Sequence, residues 1–276
     1  MKLRVVELLL VTTVPALFLA SNGVPDLSVT IWSLLGGTLA AGGANAFNMV
    51  IEAESDLLMK RTARRPIATG EISRRSGLIF ATAVSLLSLI LFYSFTTKLA
   101  TLLTFLAITF YVFGYTIALK KHTSQNIVWG GIAGCMPVLI GQAAVTNSLT
   151  LTSWLFFLTV FFWTPPHFWA LAVRYKDDYK AAGIPMLPVV APIKSVINQM
   201  WFHSLAMAVV SLLVIQSAQL PIWLSVITLL LIAGWKRQLI KLTRQPSEVN
   251  AGKLFQASIV FLSIYSFLLV IGVLLK

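Results

Sequence analysis

The feature that most constrains this chain is a series of long apolar stretches separated by short polar segments. About 20 apolar residues cross a bilayer as a helix, because the hydrocarbon offers the backbone no water to hydrogen-bond. Nine stretches qualify as predicted spans: Val5 to Ser21, Leu27 to Ile51, Ser76 to Thr97, Leu99 to Leu119, Ile127 to Thr146, Thr152 to Val173, Val196 to Ala218, Leu220 to Trp235 and Leu254 to Leu275. The predicted fold class is therefore an all-α, polytopic membrane bundle of nine transmembrane helices with a polar cap.

Two of these stretches leave alternatives open. The first has the length of a signal peptide, but Glu7 interrupts it and no clear small-residue cleavage site follows, which favours a first membrane helix. The eighth is short and opens with Pro221, a residue that is tolerated at the first helical position. Merging it with a neighbour would give eight spans. Because the spans occupy most of the chain, residues 1–276 are predicted to form a single membrane domain.

The charged residues predict an orientation. With nine spans, 19 of the 21 Lys and Arg residues fall on one side of the membrane, and only Lys98 and Lys276 fall on the other. The positive-inside rule therefore places the amino terminus and the polar cap in the cytoplasm. Anionic lipid headgroups attract such positive charge, so the net charge of +12 indicates a lipid bilayer as partner and gives no reason to propose nucleic acid.

The segment after the second span has the composition of a metal and phosphate site. If the helix continues to Asp56, then Asn48, Glu52 and Asp56 lie on one stripe, because they are spaced four residues apart. Their oxygens suit Mg²⁺, which takes its remaining ligands from substrate phosphates. Glu54 would point elsewhere, towards a nearby arginine. Bases that match phosphate oxygens follow at once: Lys60, Arg61, Arg64 and Arg65. A solvated loop with its own salt bridges explains this segment equally well.

Two further polar loops are predicted on the same side. The loop after the sixth span contains Arg174, Asp177, Asp178 and Lys180. The loop after the fourth span runs from Tyr115 through Lys120 and Lys121 to Asn126. We expect the three loops to converge as a polar cap over the bundle, which favours the metal and phosphate interpretation.

Polar side chains at membrane depth are costly and often functional. His167 follows Pro165 and Pro166, which are predicted to break the helix and open room for a ligand. His203 lies near the start of the seventh span. A neutral hydrogen bond between helices is the plainer explanation for either histidine. Cys135, the single cysteine, is predicted to be a buried packing residue.

These motifs resemble the membrane prenyltransferases related to 4-hydroxybenzoate polyprenyltransferase over nearly the whole chain. Asn48, Glu52 and Asp56 match that family's first motif, N-D-x-x-D-x-x-x-D, with Met49 at its second position. In the second motif, D-x-x-x-D, Arg174 replaces the first acid and Asp178 keeps the other. These departures are similar to the protohaem IX farnesyltransferase branch, as are Leu-Lys-Lys-His-Thr-x-x-Asn, Trp-Thr-Pro-Pro-His-Phe-Trp and Asp-Tyr-x-Ala-Ala-Gly-Ile-Pro-Met-Leu-Pro.

The resemblance implies an Mg²⁺-dependent enzyme of the bacterial plasma membrane that uses farnesyl diphosphate and haem b. It implies metal binding by Asn48, Glu52, Asp56 and Asp178. The same four residues are expected to act in catalysis with Lys120, Arg174 and His167, of which His167 would ligate haem iron, orient the porphyrin or assist water addition. The expected substrate-binding residues are Arg61, Arg64, Arg65, Tyr115, Lys121, Asn126, Asp177 and Lys180.

Two other functions remain as alternatives. A prenyltransferase acting on a quinone precursor would need the same diphosphate site. A transporter would place its acids near the bilayer midplane and interrupt corresponding helices in its two halves. Here the acids cluster at one membrane face beside bases, which disfavours transport.

Overall fold

The computed structural model describes residues 3–60 and 62–276, with side chains from Val11 onward. Within this part of the chain every regular element is helical. The helices are α1 (Leu3–Ser21), α2 (Leu27–Ile51), α3 (Ala53–Leu57), α4 (Arg74–Phe95), α5 (Lys98–Thr109, continued by a π-helical segment, Phe110–Leu119), α6 (Asn126–Thr146), α7 (Leu151–Arg174), α8 (Lys176–Ala181), α9 (Leu187–Val190), α10 (Ile193–Ser217), α11 (Trp223–Arg244) and α12 (Glu248–Leu274). The predicted all-α class is confirmed.

Eight of the described helices are long and apolar enough to cross a membrane. The ninth member of the bundle is α1, whose 19 residues extend about 28 Å at about 1.5 Å each. It packs against α6 and α12. Large apolar side chains such as Ile79, Leu86 and Ile90 are exposed along α4, as expected where a helix faces lipid. The chain is a multi-pass integral membrane protein.

Two predicted boundaries are wrong in detail. The ninth span was expected to begin at Leu254, but α12 begins at Glu248. The eighth span was expected from Leu220 to Trp235 with Pro221 as its first helical residue, but α11 begins at Trp223 and continues to Arg244. The helix extends beyond its apolar stretch because its last turns are amphipathic: Leu239 and Leu242 are buried in the bundle core, whereas Lys241 and Arg244 are exposed. Since α10 and α11 are separate helices, the alternative of eight merged spans is also excluded.

Connections on the two sides of the bundle differ in character. The side opposite the predicted cap has short turns, three of which include a non-glycine residue with positive φ: Asn22, Asn147 and Gln219. The Lys276 ammonium donates to Asn22 Oδ1 at 2.9 Å and holds the chain's end on that side. The loops of the other side contain α3, α8 and α9, so that side alone has enough chain to build a cap.

Close packing of α2 against α4 sets the direction of the acidic stripe. A Cβ at Gly36 would lie 2.8 Å from the ring of Phe92, and Ser88 of α4 donates to the Gly36 carbonyl oxygen at 2.7 Å. A glycine is required at position 36 because the Phe92 side chain of α4 packs directly against the backbone of α2 there. With this face of α2 against α4, the face that carries Asn45 and Asn48 turns towards the bundle interior, where both side chains are buried.

The π-helical segment Phe110–Leu119 departs from the regular helix expected there. Its hydrogen bonds span five residues, as in the 2.9 Å bond from the Lys120 amide to the Tyr115 carbonyl oxygen. Such segments are rare and frequently occur at functional sites. Here the wider turns bring Tyr111, Thr116 and Lys120 to α2 and the loop that follows it.

Candidate active site

Three oxygen-bearing side chains at the end of α2 share one face. The helix ends at Ile51, but the Glu52 amide still bonds the Asn48 carbonyl oxygen at 2.9 Å and the Asp56 amide bonds that of Glu52 at 2.8 Å. This four-residue hydrogen bonding keeps Asn48, Glu52 and Asp56 on one side although α3 is a separate helix. All three are buried, with exposed fractions of 2, 4 and 3%. The stripe expected from their spacing is therefore present.

Each carboxylate on this stripe has a basic partner from another loop position. Glu52 Oε2 lies 2.6 Å from Lys120 Nζ, and Asp56 Oδ2 lies 2.5 Å from Arg65 Nη1. Burial lowers the pKa of the Lys120 ammonium, and the Glu52 carboxylate opposes that change. Buried charges require such partners, because an unpaired one is strongly destabilising. The Glu52 and Lys120 pair also joins the first acidic loop to the loop after the π segment.

The second oxygen of Glu52 has no partner among the described residues. Glu52 Oε1 is buried without a hydrogen bond. A buried acceptor without a hydrogen bond costs about 1–3 kcal/mol, and more when it is charged. Such an atom in a folded protein therefore indicates a bound ligand or ion. Its neighbours on the stripe supply further oxygens and no nitrogen or sulfur ligand, a set that suits a hard divalent cation.

Asn48 is oriented by the π segment. Its Nδ2 donates to Thr116 Oγ1 at 3.3 Å, and that hydroxyl donates to the Tyr111 carbonyl oxygen at 2.9 Å. Because the amide nitrogen faces Thr116, Oδ1 is the atom available to the stripe. One turn away, Tyr111 donates its hydroxyl to Asn45 Oδ1 at 3.4 Å. Sequence reasoning missed Thr116 and Tyr111, since the π register that brings them here leaves no signal in the residue pattern.

Glu54 has the separate role expected for it. Its Oε1 accepts from Arg74 Nη2 at 2.8 Å, and both side chains are exposed. The prediction that Glu54 pairs with an arginine and turns away from the stripe is confirmed.

The basic residues of the cap differ in exposure. Arg64 and Lys121 are exposed, whereas Arg65 and Lys120 are half-buried and held by the stripe. Arg61 lies outside the described residues. Tyr115 is half-buried, and Lys120 Nζ lies 6.0 Å from the centre of its ring.

Asn126 opens α6 beneath the cap. It is completely buried, and its Nδ2 donates to the Lys120 carbonyl oxygen at 3.0 Å. Its Oδ1 has no hydrogen-bond partner among the described residues. Asn126 thus holds the backbone at Lys120 through its Nδ2, and its Oδ1 remains a buried acceptor without a hydrogen bond.

The loop after α7 approaches the same region through apolar contacts. Met59 from the first loop, Ile127 of α6 and Tyr179 of α8 belong to one small hydrophobic cluster, which we call the cap core; its other buried members are Ala172, Ala182, Ile184 and Met186. Burial of these side chains holds the loops together. The predicted convergence of the three loops is therefore present in the packing.

The charged residues of that loop form no ion pair with the stripe among the described residues. Arg174, Asp177 and Lys180 are exposed, Asp178 is half-buried, and Arg174 lies 5.8 Å from the centre of the Tyr175 ring. In residues 3–60 and 62–276 no three His, Cys, Asp or Glu side chains form a group that could hold a metal ion. Asp178 therefore does not complete a three-acid cluster with Glu52 and Asp56, and its metal role stays a prediction.

The expected helix break before His167 is wrong. Helix α7 continues from Leu151 to Arg174 through Pro165 and Pro166. The two prolines have no backbone N–H to donate, and aromatic packing stabilises this part of the helix instead. The His167 ring is stacked between the rings of Trp163 and Phe255, with centroid distances of 4.2 and 4.5 Å. Its Nδ1 also lies 2.5 Å from Ser258 Oγ. Because Ser258 belongs to α12, this contact is the hydrogen bond between helices that was the plainer explanation for His167, and it leaves Nδ1 engaged.

Cys135 has the role expected for it, whereas the hydrogen bond between helices expected for His203 is wrong. His203 Nδ1 bonds the Gln199 carbonyl oxygen of its own helix at 2.8 Å, so the hydrogen bond lies within α10 and not between helices. Cys135 is buried, and its Sγ donates to the Gly131 carbonyl oxygen at 3.0 Å. The predicted packing role of Cys135 is confirmed.

An apolar cavity of about 130 Å³ begins beside Asn45 and Tyr111 and continues into the bundle. It is lined by Thr13, Ser33, Gly37, Ala40, Ala41, Ala44, Asn45, Phe92, Thr104, Ala107, Ile108, Tyr111, Ala133, Gly134, Met136, Pro137 and Ile140. Asn45 and Tyr111 are the residues that border the stripe, so the polar site lies at the mouth of an apolar chamber. Such a combination accepts a molecule with a charged head and a hydrocarbon tail.

Solved structures share this fold. A UbiA homologue from Aeropyrum pernix K1 is similar with a TM-score of 0.74 and 18% identity, over 99% of this chain and 97% of that one. A UbiA homologue from Archaeoglobus fulgidus, bound to DMAPP and Mg²⁺, has a TM-score of 0.73 and 18% identity over 97% of each chain. At this identity the likeness shows the fold.

Sequence comparison is more specific. The model of the UbiA prenyltransferase family matches residues 9–269. A protohaem IX farnesyltransferase of Streptomyces avermitilis is 46% identical over 271 residues, which are 95% of this chain and 88% of that protein. One from Mycolicibacterium smegmatis is 48% identical over 237 residues, 85% of this chain and 71% of that protein. The chain belongs to the UbiA prenyltransferase family, in its protohaem IX farnesyltransferase branch.

Proposed function

We propose that this protein transfers a farnesyl group from farnesyl diphosphate to a vinyl group of haem b, with addition of water, to give haem O. The observation that carries the proposal is the buried stripe of Asn48, Glu52 and Asp56 at the mouth of the apolar cavity. The relatives named protohaem IX farnesyltransferase, at 46 and 48% identity, supply the donor and acceptor. The diphosphate would bind at the cap and the farnesyl tail in the cavity.

The residues present fit a magnesium ion. Asn48 Oδ1, the unpartnered Glu52 Oε1 and the Asp56 carboxylate would hold it, and we propose Asp178 as a further ligand. Magnesium neutralises the negative charge that develops on the departing diphosphate. The Archaeoglobus fulgidus homologue was solved with Mg²⁺ and DMAPP, which supports the use of a divalent ion in this fold.

The basic residues around the stripe would bind the phosphates. Arg65 and Lys120 already lie beside the acids, so a bound diphosphate would meet charge-assisted donors without a large rearrangement. Arg174, in place of the family's usual acid, would contact a phosphate oxygen directly. The other residues that we propose to contact a substrate are Arg61, Arg64, Tyr115, Lys121, Asn126, Asp177 and Lys180.

The proposed reaction begins with cleavage of the bond between the allylic carbon and the diphosphate oxygen, which leaves with both electrons. The haem vinyl group donates its π electrons to that carbon and forms the new carbon–carbon bond. Water then adds to the cation left beside the porphyrin and loses a proton, which gives the hydroxyl. The apolar cavity would keep water from capturing the farnesyl cation first.

His167 is proposed to act on the haem side. Its Nδ1 is engaged by Ser258 and its two faces are covered by Trp163 and Phe255, so Nε2 is the ring atom left to meet a substrate. Through Nε2 it would ligate the iron, orient the porphyrin or assist the addition of water.

We further propose that residues 1–276 form one membrane domain in the bacterial plasma membrane, with the amino terminus and the cap in the cytoplasm. The distribution of Lys and Arg supports this orientation. Water-soluble substrates and Mg²⁺ would then reach the cap from the cytoplasm. The orientation is tested with the variants Lys98→Cys and Lys121→Cys in intact cells, treated with a thiol reagent that cannot cross the membrane. Only Lys98→Cys should react.

The test of function is a reconstituted reaction. Purified protein in lipid nanodiscs is incubated with Mg²⁺, farnesyl diphosphate and haem b, and the haems are analysed by mass. We expect a product heavier than haem b by one farnesyl group and one hydroxyl. A parallel reaction with 4-hydroxybenzoate in place of haem tests the quinone-precursor alternative. A prenylated benzoate with unchanged haem would contradict the proposal, as would the absence of any transfer.

A further inference from the structure

The hydroxyl group of Ser258 lies between two hydrogen-bonding atoms. Its Oγ is 2.5 Å from the carbonyl oxygen of Phe255 in the same helix, α12, and 2.5 Å from Nδ1 of His167 in α7. A carbonyl oxygen can only accept a hydrogen bond, and the hydroxyl has a single proton to give. That proton is donated to Phe255, so Ser258 Oγ accepts from the His167 ring. The ring therefore carries a proton on Nδ1.

The other ring nitrogen of His167 is left with a lone pair. No ion pair among residues 3–60 and 62–276 involves His167. A charged ring would thus be unpaired inside the bundle, where an unpaired charge is strongly destabilising. The neutral ring has one N–H, on Nδ1, so Nε2 can bind a metal or accept a proton but cannot donate one.

Contacts with α12 also fix the direction of the ring. Its two faces are covered by Trp163 and Phe255. The Trp163 indole Nε1 donates to the carbonyl oxygen of Ser258 at 2.8 Å. Ser258 therefore contacts α7 twice, through its backbone and through its hydroxyl. Histidines that bind metals commonly donate their other ring N–H to an oxygen, which fixes the tautomer and makes the ligating nitrogen more basic.

His203 has the same tautomer in a looser setting. Its Nδ1 bonds the Gln199 carbonyl oxygen, which can only accept, so its Nε2 also has the lone pair. That bond lies within α10, however, and its three aromatic neighbours meet the ring tilted or edge-on. No stacked pair encloses this ring as one encloses His167. His203 is therefore the weaker candidate and a useful comparison.

We infer that Ser258 is a positioning residue for His167: by accepting from Nδ1 it directs the Nε2 lone pair to the iron of the haem acceptor. This inference rests on the proposed function, because it assigns His167 to the haem side. It selects iron ligation among the roles open to His167, since iron is the group of haem b that binds a neutral imidazole nitrogen. The same lone pair acting as a base for the added water would leave porphyrin affinity independent of the iron.

The test measures binding without the transfer reaction. The full chain in nanodiscs is titrated with haem b and, separately, with metal-free protoporphyrin IX, in the absence of a prenyl donor. We expect the unaltered protein to prefer haem b. Ser258→Ala should weaken haem b binding about tenfold or more, the usual effect of removing such a partner, and leave protoporphyrin IX binding unchanged. Ser258→Thr keeps the hydroxyl and should keep the preference.

The ligand itself is identified by resonance Raman spectroscopy of the ferrous haem complex. The iron-imidazole stretching band should be present in the unaltered protein and absent in His167→Ala. His203→Ala should keep both the band and the preference for haem b. Ser266→Ala is the matched control for Ser258→Ala, because it removes another buried hydroxyl of α12 that has no hydrogen bond among the described residues.

The outcomes separate the two proposals. If the unaltered protein binds neither porphyrin, the proposed acceptor is wrong and the inference fails with it. If it binds both, but Ser258→Ala leaves both affinities unchanged or lowers them equally, the inference is overturned while the proposed function stands. Loss of the band in His203→Ala and not in His167→Ala would overturn it too. Should Ser258→Ala fail to fold, Ser258→Cys decides in the same way, because a thiol is a weak donor and acceptor.

Discussion

The two acidic loops of the cap are alike in sequence and differ in structure. Glu52 and Asp56 in the first are buried and each holds a base within 2.6 Å. Asp178 in the second is half-buried, and no ion pair involves it among the described residues. The first loop is therefore organised before any ligand binds, whereas the second is anchored by the cap core and keeps its charges free. Substitutions in the first loop should affect both stability and reaction, and those in the second the reaction alone.

The largest effect is expected for Asp56→Ala in the first loop. It removes a proposed metal ligand and leaves Arg65 without its partner, so kcat should fall by about 10³. Formation of haem O in nanodiscs measures this. Glu54→Ala is the matched control, because Glu54 is an exposed acid on the same short helix that pairs with Arg74. Equal activity of the Asp56→Ala and unaltered proteins would remove Asp56 from the site.

Next in size is the stability effect of the buried pair between Glu52 and Lys120. Lys120→Met should lower the free energy of unfolding by about 3 kcal/mol, because it leaves the Glu52 carboxylate buried and unpaired. Adding Glu52→Gln should restore most of the stability without restoring activity. Thermal unfolding in detergent and the haem O assay follow the two properties separately. Recovery of both together would assign Glu52 a structural role only.

A smaller effect is expected in the second loop. Asp178→Ala should lower activity about thirtyfold at limiting Mg²⁺ and less at high Mg²⁺, because it removes one of several ligands. Thermal stability should not change, since the side chain has no ion pair to lose. Glu71→Ala, which removes an exposed acid with no proposed role and no ion pair among the described residues, is the control. A loss of stability in Asp178→Ala would show that the two loops do not differ as described.

The smallest effect concerns the orientation of Asn48. Thr116→Val removes the acceptor for Asn48 Nδ2, a bond of about 1 kcal/mol, and should raise the Mg²⁺ concentration for half-maximal activity about fivefold. Thr116→Ser keeps the hydroxyl and should behave like the unaltered protein. If both variants respond alike, packing of Thr116 matters and its hydrogen bond does not.

Much of this site followed from sequence because its residues are local. Asn48, Glu52 and Asp56 are spaced so that any continuous helical path aligns them, and Glu54 had to point away. The helices were predictable for the same reason, since apolar length alone defines them. In contrast, the pairing of Arg65 with Asp56 and of Lys120 with Glu52 depends on how the loops fold back, which spacing does not encode.

Two errors show which forces the sequence conceals. Pro165 and Pro166 were expected to break α7, but the aromatic stack around His167 stabilises the helix where its backbone bonding is weakest. The π segment was not foreseen, because it depends on tertiary partners such as Asn48 for Thr116. In both places contacts between distant helices override the local preference.

The central claim is that the buried stripe at the end of α2 binds a metal diphosphate above an apolar tail cavity. The most direct test is a crystal structure with Mn²⁺ in place of Mg²⁺ and farnesyl thiolodiphosphate, with the metal located by its anomalous scattering. We predict metal density in direct coordination with Glu52 and Asp56, with the farnesyl tail in the apolar cavity. Metal bound elsewhere on the cap, or a farnesyl tail outside the cavity, would contradict this account.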